Sequence, residues 1–216
     1  MHAPHTTAEP VGLREQKKAA TRQALIEVSQ RLFATKGYAA TTLEEICTEV
    51  GIRPQTLLRY FESKAHLATA PLAAVVADLE RKVTEPERTA DTIELWREHV
   101  AARTIFHQMH SPRAVRTYYR WLDADPVLLA MTAQLNHRTQ TVLAAGLAHD
   151  HHVEPDDLHS TMLAALLVAG WNSIFLQWLE SGGDADELGR RQDAVVDFAV
   201  SNLPRSSASD LGADLT

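Results

Sequence analysis

The chain has 216 residues, of which 45% are hydrophobic and 23% are charged, a composition typical of ordinary globular proteins. Its formal net charge of −7 by itself argues against nucleic-acid binding, and its single cysteine excludes an internal disulfide. No uninterrupted apolar run reaches the ~20 residues that span a bilayer, and residues 1–10 lack the apolar segment of a signal peptide. We therefore expect a cytoplasmic protein with no membrane partner.

The charge is distributed unevenly along the chain. Residues 1–65 contain 9 Lys and Arg against 7 Asp and Glu, whereas the remaining residues contain 12 against 21. The N-terminal part is therefore mildly basic and the rest is acidic. This asymmetry suits a protein that contacts DNA only through its N-terminal part.

Residues 1–10 show no apolar periodicity and are predicted to form a disordered arm. From Leu13 to Lys36 apolar residues recur at helical spacing, which predicts one long helix ending before a glycine. Basic residues cluster in its first half: Arg14, Lys17, Lys18 and Arg22. Such a cluster is often only a solvated face. Its position directly before residues 41–64, which have the pattern of a DNA-binding motif described next, favours contact with DNA phosphates.

Residues 41–64, TTLEEICTEVGIRPQTLLRYFESK, contain the signals of two short helices joined by a tight turn. Thr42 and Glu45 have the spacing of a capping box, and the next helix carries an apolar stripe until Gly51, which suits a left-handed helix end. Pro54 begins a second helix that is predicted to continue through Phe61. This pattern predicts a helix-turn-helix, whose second helix enters the major groove of DNA.

This segment resembles the start of the TetR family of transcriptional regulators. The resemblance covers roughly residues 14 to 67 and rests on the order and spacing of Lys36, Gly37, Tyr38, Thr41, Thr42, Ile46, Gly51, Thr56, Arg59, Tyr60, Phe61, Ser63, Lys64 and Leu67. Three positions depart from the family pattern: Arg53 replaces a helix-capping Ser, Leu58 replaces a Tyr that contacts the DNA backbone, and Cys47 replaces a small Ala. We therefore expect a base-contact pattern particular to this chain.

The motif also predicts which side chains contact DNA. Arg53, Gln55 and Arg59 are candidates for base edges or nearby phosphates. The candidates for contacts with the DNA backbone are Arg14, Lys17, Thr42, Thr56, Tyr60 and Lys64. A helix N-terminus is expected to help the last of these bind a phosphate.

The rest of the chain predicts further helices and no strand. Ser63 caps a fourth helix to about Val83, and Pro71 inside it predicts a kink or break near Ala70. Later helices are predicted over residues 91–110, 111–123, 125–149, 155–180 and 187–203. The expected fold is all-α with about nine helices. Its predicted parts are a helix-turn-helix DNA-binding domain at 11–62, an effector-binding and dimerisation domain at 63–203, and a disordered tail at 204–216.

Polar residues lie within the apolar stripes of the middle helices. An apolar cavity with a few polar anchors is typical of a small-molecule site, and the family resemblance implies an effector pocket here. The candidate ligand-binding residues are Trp96, His99, Arg103, Phe106, Met109, Tyr119, Leu135, Arg138, Trp171 and Phe175. For each residue the alternative is a packed core side chain or a snorkelling arginine. If Arg103 and Arg138 both face inward, they favour an acidic group on a largely apolar effector.

The helix predicted at residues 155–180 is apolar on much of its circumference, so it must be covered on several sides. The resemblance implies that it and the helix at 187–203 pair with their copies in a second subunit as a four-helix bundle. A two-fold dimer also supplies the affinity and spacing that one helix-turn-helix lacks on a palindromic operator. The alternative is that both helices are core elements of a monomer.

Eleven histidines, among them His149, His151, His152 and His159 near Asp150, raise a second hypothesis. Imidazole and carboxylate groups bind metal ions, which allows a metal-sensing regulator or a His-rich metal-dependent helical hydrolase. Adjacent loop residues rarely converge on one ion and no HExxH motif is present, so solvated histidines are the simpler interpretation. Since no nucleophile motif or phosphate-binding loop is evident, we predict that the chain is not an enzyme and needs no cofactor.

The sequence thus predicts a homodimeric, ligand-responsive DNA-binding regulator, most often a repressor in this family. Effector binding among the middle helices is expected to shift the fourth helix and to change the separation of the two DNA-binding heads. Heads that no longer match successive major grooves lose specific binding. Binding of the effector therefore weakens binding of the operator, and the reverse.

Overall fold

The computed structural model describes residues 11–109, 112–182 and 184–203, without the side chains of 11, 104–109, 112–114 and 185. The predicted disordered arm at 1–10 and tail at 204–216 lie outside the described residues. Within the described ranges the chain forms α-helices and no strand, which confirms the all-α fold. The helices are α1 (Val11–Lys36), α2 (Leu43–Val50), α3 (Pro54–Leu58), α4 (Lys64–Val83), α5 (Thr92–Met109), α6 (Pro112–Ala124), α7 (Pro126–His151), α8 (Leu158–Ser181) and α9 (Ala185–Asn202).

Local capping explains where several helices begin and why some bounds differ from the prediction. The last two helices begin after aspartates: Asp157 accepts a hydrogen bond from the Ser160 amide at 2.8 Å, and Asp184 accepts one from the Glu187 amide at 2.7 Å. These caps place the starts of α8 and α9 at residues 158 and 185 instead of the predicted 155 and 187. At the predicted capping box before α5, the Glu94 amide donates to Asp91 at 2.8 Å and the Asp91 amide donates to Glu94 at 3.1 Å.

The N-terminal head has a continuous apolar core. Leu25 and Phe33 of α1, Ile46 of α2 and Leu57 of α3 are all fully buried in it. Cys47 is also buried, and this burial raises the pKa of its thiol, which stays protonated at neutral pH. The apolar stripes read from the sequence therefore form the contacts between these short helices.

Helix α4 connects the head to the rest of the molecule. It runs without interruption from Lys64 to Val83, so the predicted break near Ala70 is wrong. Pro71 has no N–H to donate to the carbonyl of Leu67, but this half of the helix is buried on several sides, which holds it together. The N-terminal half of α4 belongs to the core of the head, and its C-terminal half belongs to the core of the body.

Helices α5 and α7–α9, with the second half of α4, surround the core of the body. The helix pairs approach closely at two glycines. A Cβ atom on Gly146 of α7 would lie 2.6 Å from side-chain atoms of Val83 and Thr92, and one on Gly170 of α8 would lie 2.5 Å from Val195 of α9. These close approaches fix the positions of α7 and α8 against their neighbours.

Helix α6 takes part in both cores. Val115 is buried in the core of the body, whereas Leu122 is buried in the core of the head. Near the C-terminus of α6, Trp121 stacks on Tyr38 with ring centroids 5.5 Å apart and an interplanar angle of 9°. Phe33 packs edge-on against the same indole at 5.5 Å. The head is therefore held to the body by α6 as well as by α4.

The segment after α4 is tied to the end of α7 by a largely buried ion pair between Arg88 and Asp150. Asp150 also accepts a hydrogen bond from the Thr92 amide at 2.7 Å, at the first turn of α5. Burial by itself raises the pKa of the Asp150 carboxyl, but the hydrogen bonds from Thr92, followed by that from Arg88, together outweigh it and hold this pKa below its usual range. This ion pair joins the ends of α4, α5 and α7.

Helix α8 has the length and composition of a membrane-spanning helix, with a mean hydropathy of 1.5, although no apolar run of that length was expected from the sequence. Core helices of bundles meet the same criterion, and Leu163, Leu167 and Trp171 of α8 are buried against the rest of the body. Its apolar character is therefore explained in large part by burial within the body.

Candidate functional site

The first part of the candidate site is the helix-turn-helix. The predicted capping box forms at the start of α2: the Glu45 amide donates to the Thr42 hydroxyl at 3.2 Å, and the Thr42 amide donates to the Glu45 carboxylate at 3.0 Å. Gly51 ends α2 with φ = 76°, the left-handed conformation that the prediction required. These local features set the direction in which α3 leaves the turn.

Helix α3 presents a polar and mostly exposed surface. Leu57 faces the head core and is fully buried, whereas Arg53, Gln55 and Leu58 are exposed. Arg53 makes no side-chain hydrogen bond as the residue before the helix, so its guanidinium is available for other contacts. The exposed residues therefore lie around the side of α3 that is turned away from the protein.

The second helix of the motif is shorter than predicted. It ends at Leu58, and Arg59 and Tyr60 lie in the following turn instead of within the helix. In this turn the amides of Arg59 and Tyr60 donate to the carbonyls three residues earlier, at 3.2 and 2.8 Å, and the following Phe61 is buried in the head core. Arg59 remains exposed and Tyr60 and Thr56 are half-buried, so the predicted DNA-contacting residues stay together around α3.

The basic residues of the head differ in what they already bind. Arg14 and Lys17 are exposed on the first turns of α1. By contrast, Lys36 forms an ion pair with Glu45, which joins α1 to α2. The Lys36 hydrogen bond, followed by that from Thr42, lowers the pKa of the Glu45 carboxyl. The end of α1 thus uses a cation to build the head, whereas the basic residues of its first turns are exposed to solvent.

Lys64 has a structural role that the sequence did not indicate. Its ammonium donates to the carbonyls of Tyr38 at 2.9 Å and Thr41 at 3.0 Å, and lies 4.3 Å from the centroid of the Tyr38 ring. These contacts tie the start of α4 to the loop between α1 and α2. Two of the three N–H groups of the ammonium are therefore used within the head.

The second part of the candidate site is a cavity of about 800 Å³ between the head and the body. It is lined from α1 by Arg22, Gln23, Ile26, Glu27, Gln30, Arg31 and Ala34, from α4 by Pro71, Leu72, Ala74 and Val75, and from α5 and α6 by Ala102, Arg103, Val115, Tyr118, Tyr119 and Trp121. Of the predicted ligand-binding residues, it contains Arg103 and Tyr119. The wall formed by α1 was not predicted from the sequence. The available signal was the spacing of Arg22, Ile26 and Gln30, which puts a mixed polar and apolar row on one face of the helix.

Four of the eight other predicted ligand-binding residues make aromatic contacts in the core of the body, next to this cavity. Trp96 stacks on His99 with centroids 5.4 Å apart, and Tyr119 packs against Phe175 at 4.6 Å. Phe175 in turn stacks on Trp171 at 5.5 Å. The guanidinium of Arg103 lies 5.4 Å from the centroid of the Trp171 ring. Arg103 and Tyr119 therefore stand between the cavity and the aromatic cluster.

Four predicted ligand-binding residues do not join this arrangement. Arg138 is half-exposed and forms an ion pair with Glu80, so it does not face inward as the hypothesis of two inward arginines required. Leu135 is half-buried on α7 and does not line the cavity. Phe106 and Met109 belong to α5, but their side chains lie outside the described part of the structure.

The core of the body contains buried polar atoms without a hydrogen-bond partner among the described residues: Nε2 of His99, Nε1 of Trp171 and Oε1 of Gln192. His99 is 6% exposed, and its burial, followed by the charge of Arg103, lowers its pKa to about 3. The ring is therefore neutral at physiological pH. Unsatisfied polar groups of this kind are uncommon in folded proteins, which marks this part of the core as a candidate for further contacts.

The histidine-rich segment does not form a metal site among the described residues, where no group of three or more His, Cys, Asp or Glu is placed to hold an ion. His149 and His151 belong to the last turn of α7, and His152 ends that helix in a left-handed conformation with φ = 54°. Asp150 is bound by Arg88, and the ring of His159 is hydrogen-bonded to the carbonyl of Leu203. The described contacts of this segment are therefore structural.

Helices α8 and α9 expose several large apolar side chains among polar ones. Those that are 46% to 71% exposed are Leu158, Met162, Leu176, Phe198 and Val200. Exposed apolar residues are typical of an interaction surface where they are grouped together.

Comparisons with known proteins agree with this geometry. Residues 25–70 match the family model of bacterial regulatory proteins, tetR family. The transcriptional regulator TcmR of Streptomyces glaucescens is 39% identical over 74 residues, which cover 33% of this chain and 33% of TcmR. The transcriptional repressor KstR of Mycobacterium tuberculosis is 22% identical over 181 residues, which cover 83% of this chain and 80% of KstR.

The fold is shared with solved structures. A complex of SmeT with triclosan superimposes with a TM-score of 0.60 at 17% identity, covering 87% of this chain and 99% of SmeT. At this identity the likeness concerns the fold, whereas the sequence match concerns the DNA-binding head. Regulators of the matched family are DNA-binding proteins and not enzymes. The helix-turn-helix of this chain thus matches the tetR family model over residues 25–70, and the helical body that follows it has a fold shared with solved structures.

Proposed function

We propose that the protein is a cytoplasmic, homodimeric repressor that binds a palindromic operator and is released from it by a small-molecule effector. The observation that carries this proposal is the exposed side of α3, where Arg53, Gln55 and Arg59 surround a short helix held in place by buried Leu57. In a helix-turn-helix this is the side that enters the major groove. The proposed units are a DNA-binding head at 11–62 and an effector-binding and dimerisation domain at 63–203.

The exposed groups suggest a division of roles at the DNA. Arg53, Gln55 and Arg59 have the reach and donors to bind base edges, as arginine does with guanine and glutamine with adenine. Arg14 and Lys17 on α1, Thr42, Thr56 and Tyr60 around the motif, and the remaining donor of Lys64 are proposed to contact the DNA backbone. Leu58, which is 51% exposed, cannot donate to a phosphate but can contact a thymine methyl group.

Dimerisation is proposed through residues 155–180 and 187–203. The exposed apolar side chains of α8 and α9 support it, because leaving side chains such as Phe198 and Leu176 in water is unfavourable. In a two-fold dimer the two copies of this surface would cover each other. Two heads would then bind successive major grooves on one face of the DNA.

Effector response is proposed through the cavity beside α4. The cavity touches both the head and the body, and α4 passes from one core into the other. An effector that binds one arrangement of these helices better than the other shifts the equilibrium between them and thereby changes operator affinity. The structure of SmeT with triclosan shows that a protein of similar fold binds a small molecule.

The proposal is tested by fluorescence anisotropy with a labelled duplex taken from upstream of the protein's own gene and a scrambled duplex as competitor. The wild-type protein is expected to prefer the upstream duplex, and Gln55→Ala is expected to lose most of that preference. Arg120→Ala, on the exposed side of α6 in the body, is the matched control and should bind like the wild type. Equal binding of both duplexes by the wild type would contradict the proposal for this promoter and its operator.

A further inference from the structure

We propose that the cavity between α1, α4, α5 and α6 binds an apolar molecule that carries one anionic group, and that Arg103 binds this group. The bound molecule would contact the DNA-binding head and the body at the same time. This inference rests on the proposed effector response, since it names the chemical class of the effector and the way in which it touches the head.

The size and lining of the cavity suit an apolar molecule. Its volume of about 800 Å³ lies within the range of small-molecule sites, which is roughly 300–1,000 Å³. Its apolar walls come from all four helices and include Ile26, Leu72, Val75, Val115 and Tyr118. A molecule of this character would remove these side chains from water, which stabilises the complex in proportion to the area covered.

The charges on the cavity wall point to an anionic group. The four charged lining residues differ in their contacts: Arg31 is paired with Glu49, Glu27 accepts a hydrogen bond from Gln23 at 2.9 Å, and Arg22 lies 5.0 Å from the centroid of the Phe61 ring. Among the described residues neither Arg22 nor Arg103 has a carboxylate partner, and Arg103 is the one that lies on the side of the body. A guanidinium on an apolar wall is suited to a bidentate contact with a carboxylate or sulfonate.

Arg103 is positioned by the aromatic cluster behind it. Its guanidinium lies over the Trp171 ring at 5.4 Å and donates to the Tyr119 hydroxyl at 3.5 Å. Stacking on an aromatic ring uses the face of a guanidinium and leaves the N–H groups at its edge free to donate. The pre-positioned donors lower the entropy that an anionic ligand loses when it binds.

The head forms one complete wall of the same cavity, which distinguishes it from a pocket enclosed by the body alone. Gln30 of α1 donates to the Ala68 carbonyl of α4 at 3.2 Å, and Tyr118 of α6 approaches the same carbonyl at 3.4 Å. All three helices therefore meet at one carbonyl beside Pro71, at the edge of the cavity. A molecule that fills the space between them would fix the distance of α1 from α6.

The charge requirement is tested with two fluorescent probes that share an aromatic frame, anilinonaphthalene sulfonate and the uncharged N-phenylnaphthylamine, each titrated into the full-length protein without DNA. We expect the wild type to bind the sulfonate more tightly. Arg103→Met should weaken sulfonate binding by about tenfold or more and change binding of the uncharged probe by less than about twofold. Arg138→Met, which removes a paired arginine outside the cavity, should change neither.

The location is tested with a matched pair of alanines. Ala34→Phe fills the cavity from the head side, and Ala130→Phe adds the same ring on an exposed turn of α7 away from it. Only Ala34→Phe should weaken binding of both probes. Arg103→Lys, which keeps the charge, should retain part of the preference for the sulfonate, and this separates loss of charge from loss of folding.

The inference is overturned if the wild type binds the two probes equally, if Arg103→Met leaves the preference intact, or if Ala34→Phe binds both probes like the wild type. Because these titrations contain no DNA, they are independent of the proposed function. A protein that passes them but does not prefer its upstream duplex contradicts the proposed function, whereas one that prefers this duplex but fails them contradicts only the inference.

Discussion

The head and the body of this protein satisfy their polar groups to different degrees. In the described part of the head, no buried side-chain polar atom lacks a hydrogen-bond partner, and even Lys64 is bound by two carbonyls. In the body, polar atoms of His99, Trp171 and Gln192 are buried without a partner. Each such atom costs about 1–3 kcal/mol of stability. The head therefore satisfies its buried polar groups with its own atoms, whereas the body leaves some in its core that its described residues do not satisfy.

The exposed surfaces of the head and the body also differ in polarity. The exposed side of the head around α3 is mostly polar and cationic, which suits contacts with DNA, whereas large apolar side chains are exposed on α8 and α9. The partners proposed for the two regions, DNA and a second subunit, differ accordingly. The following predictions test whether these differences have the consequences proposed above.

The largest effect is expected from a charge on the apolar surface of the body. Phe198→Glu should convert the dimer to a monomer in sedimentation experiments and weaken operator binding by at least ~100-fold, because a single head has few contacts. Val127→Glu, at an equally exposed apolar position on α7, is the control and should remain dimeric. If Phe198→Glu stays a dimer, the proposed interface is wrong.

Substitutions at two glycines compare the cost of overpacking in the body with the cost of backbone strain in the head. Gly146→Ala puts a Cβ atom 2.6 Å from Val83 and Thr92 and should lower the free energy of unfolding by about 2–3 kcal/mol through overpacking. Gly51→Ala has open space around it but requires φ = 76°, and should cost about 1 kcal/mol. Urea denaturation measures both, and the reverse order would contradict the packing described for the body.

Acid should destabilise the body through His99. Its folded pKa of about 3 lies below the unfolded value of about 6.5, so the unfolded chain binds more protons between these values and stability falls as the pH falls. Between pH 7 and pH 5 the wild type should lose about 2 kcal/mol more than His99→Phe.

The smallest effect concerns the two roles of Lys64. Lys64→Met should lower the free energy of unfolding by about 1–2 kcal/mol through the lost hydrogen bonds to Tyr38 and Thr41. It should also weaken binding to all duplexes alike and reduce the salt slope by about 1. Unchanged salt dependence, with stability lowered, would make Lys64 a structural residue only. Lys36→Met, which breaks one exposed ion pair, is the control for lost charge in the head.

The head could be predicted from the sequence because its determinants are local. Each determinant involves residues only a few positions apart: the capping box of Thr42 and Glu45, the helix end at Gly51 and the helix start at Pro54. Each has the role in the structure that its position indicated. The end of α3 was missed because it depends on the burial of Phe61, which is a tertiary contact.

The candidate site in the body was predicted only in part because it depends on distant residues. Helical spacing put Trp96, His99 and Arg103 on neighbouring faces, and the structure stacks Trp96 on His99 and puts Arg103 over Trp171. The wall from α1 and the pairing of Arg138 with Glu80 depend on how helices cross, for which residue spacing gives no signal. Asp150 was considered as a metal ligand because histidines surround it in the sequence. In the structure it instead pairs with Arg88, which lies 62 positions away along the chain.

The pairing of Arg88 with Asp150 has a mechanical consequence for α4. The segment that follows the C-terminal end of this helix is fixed to α5 and α7, whereas its N-terminal end belongs to the core of the head. With 20 residues, α4 is about 30 Å long, so a rotation of ~5° about the fixed end moves Ser63 by roughly 2–3 Å. Small changes of angle at the anchored end thus become displacements at the DNA that are comparable to the length of a hydrogen bond.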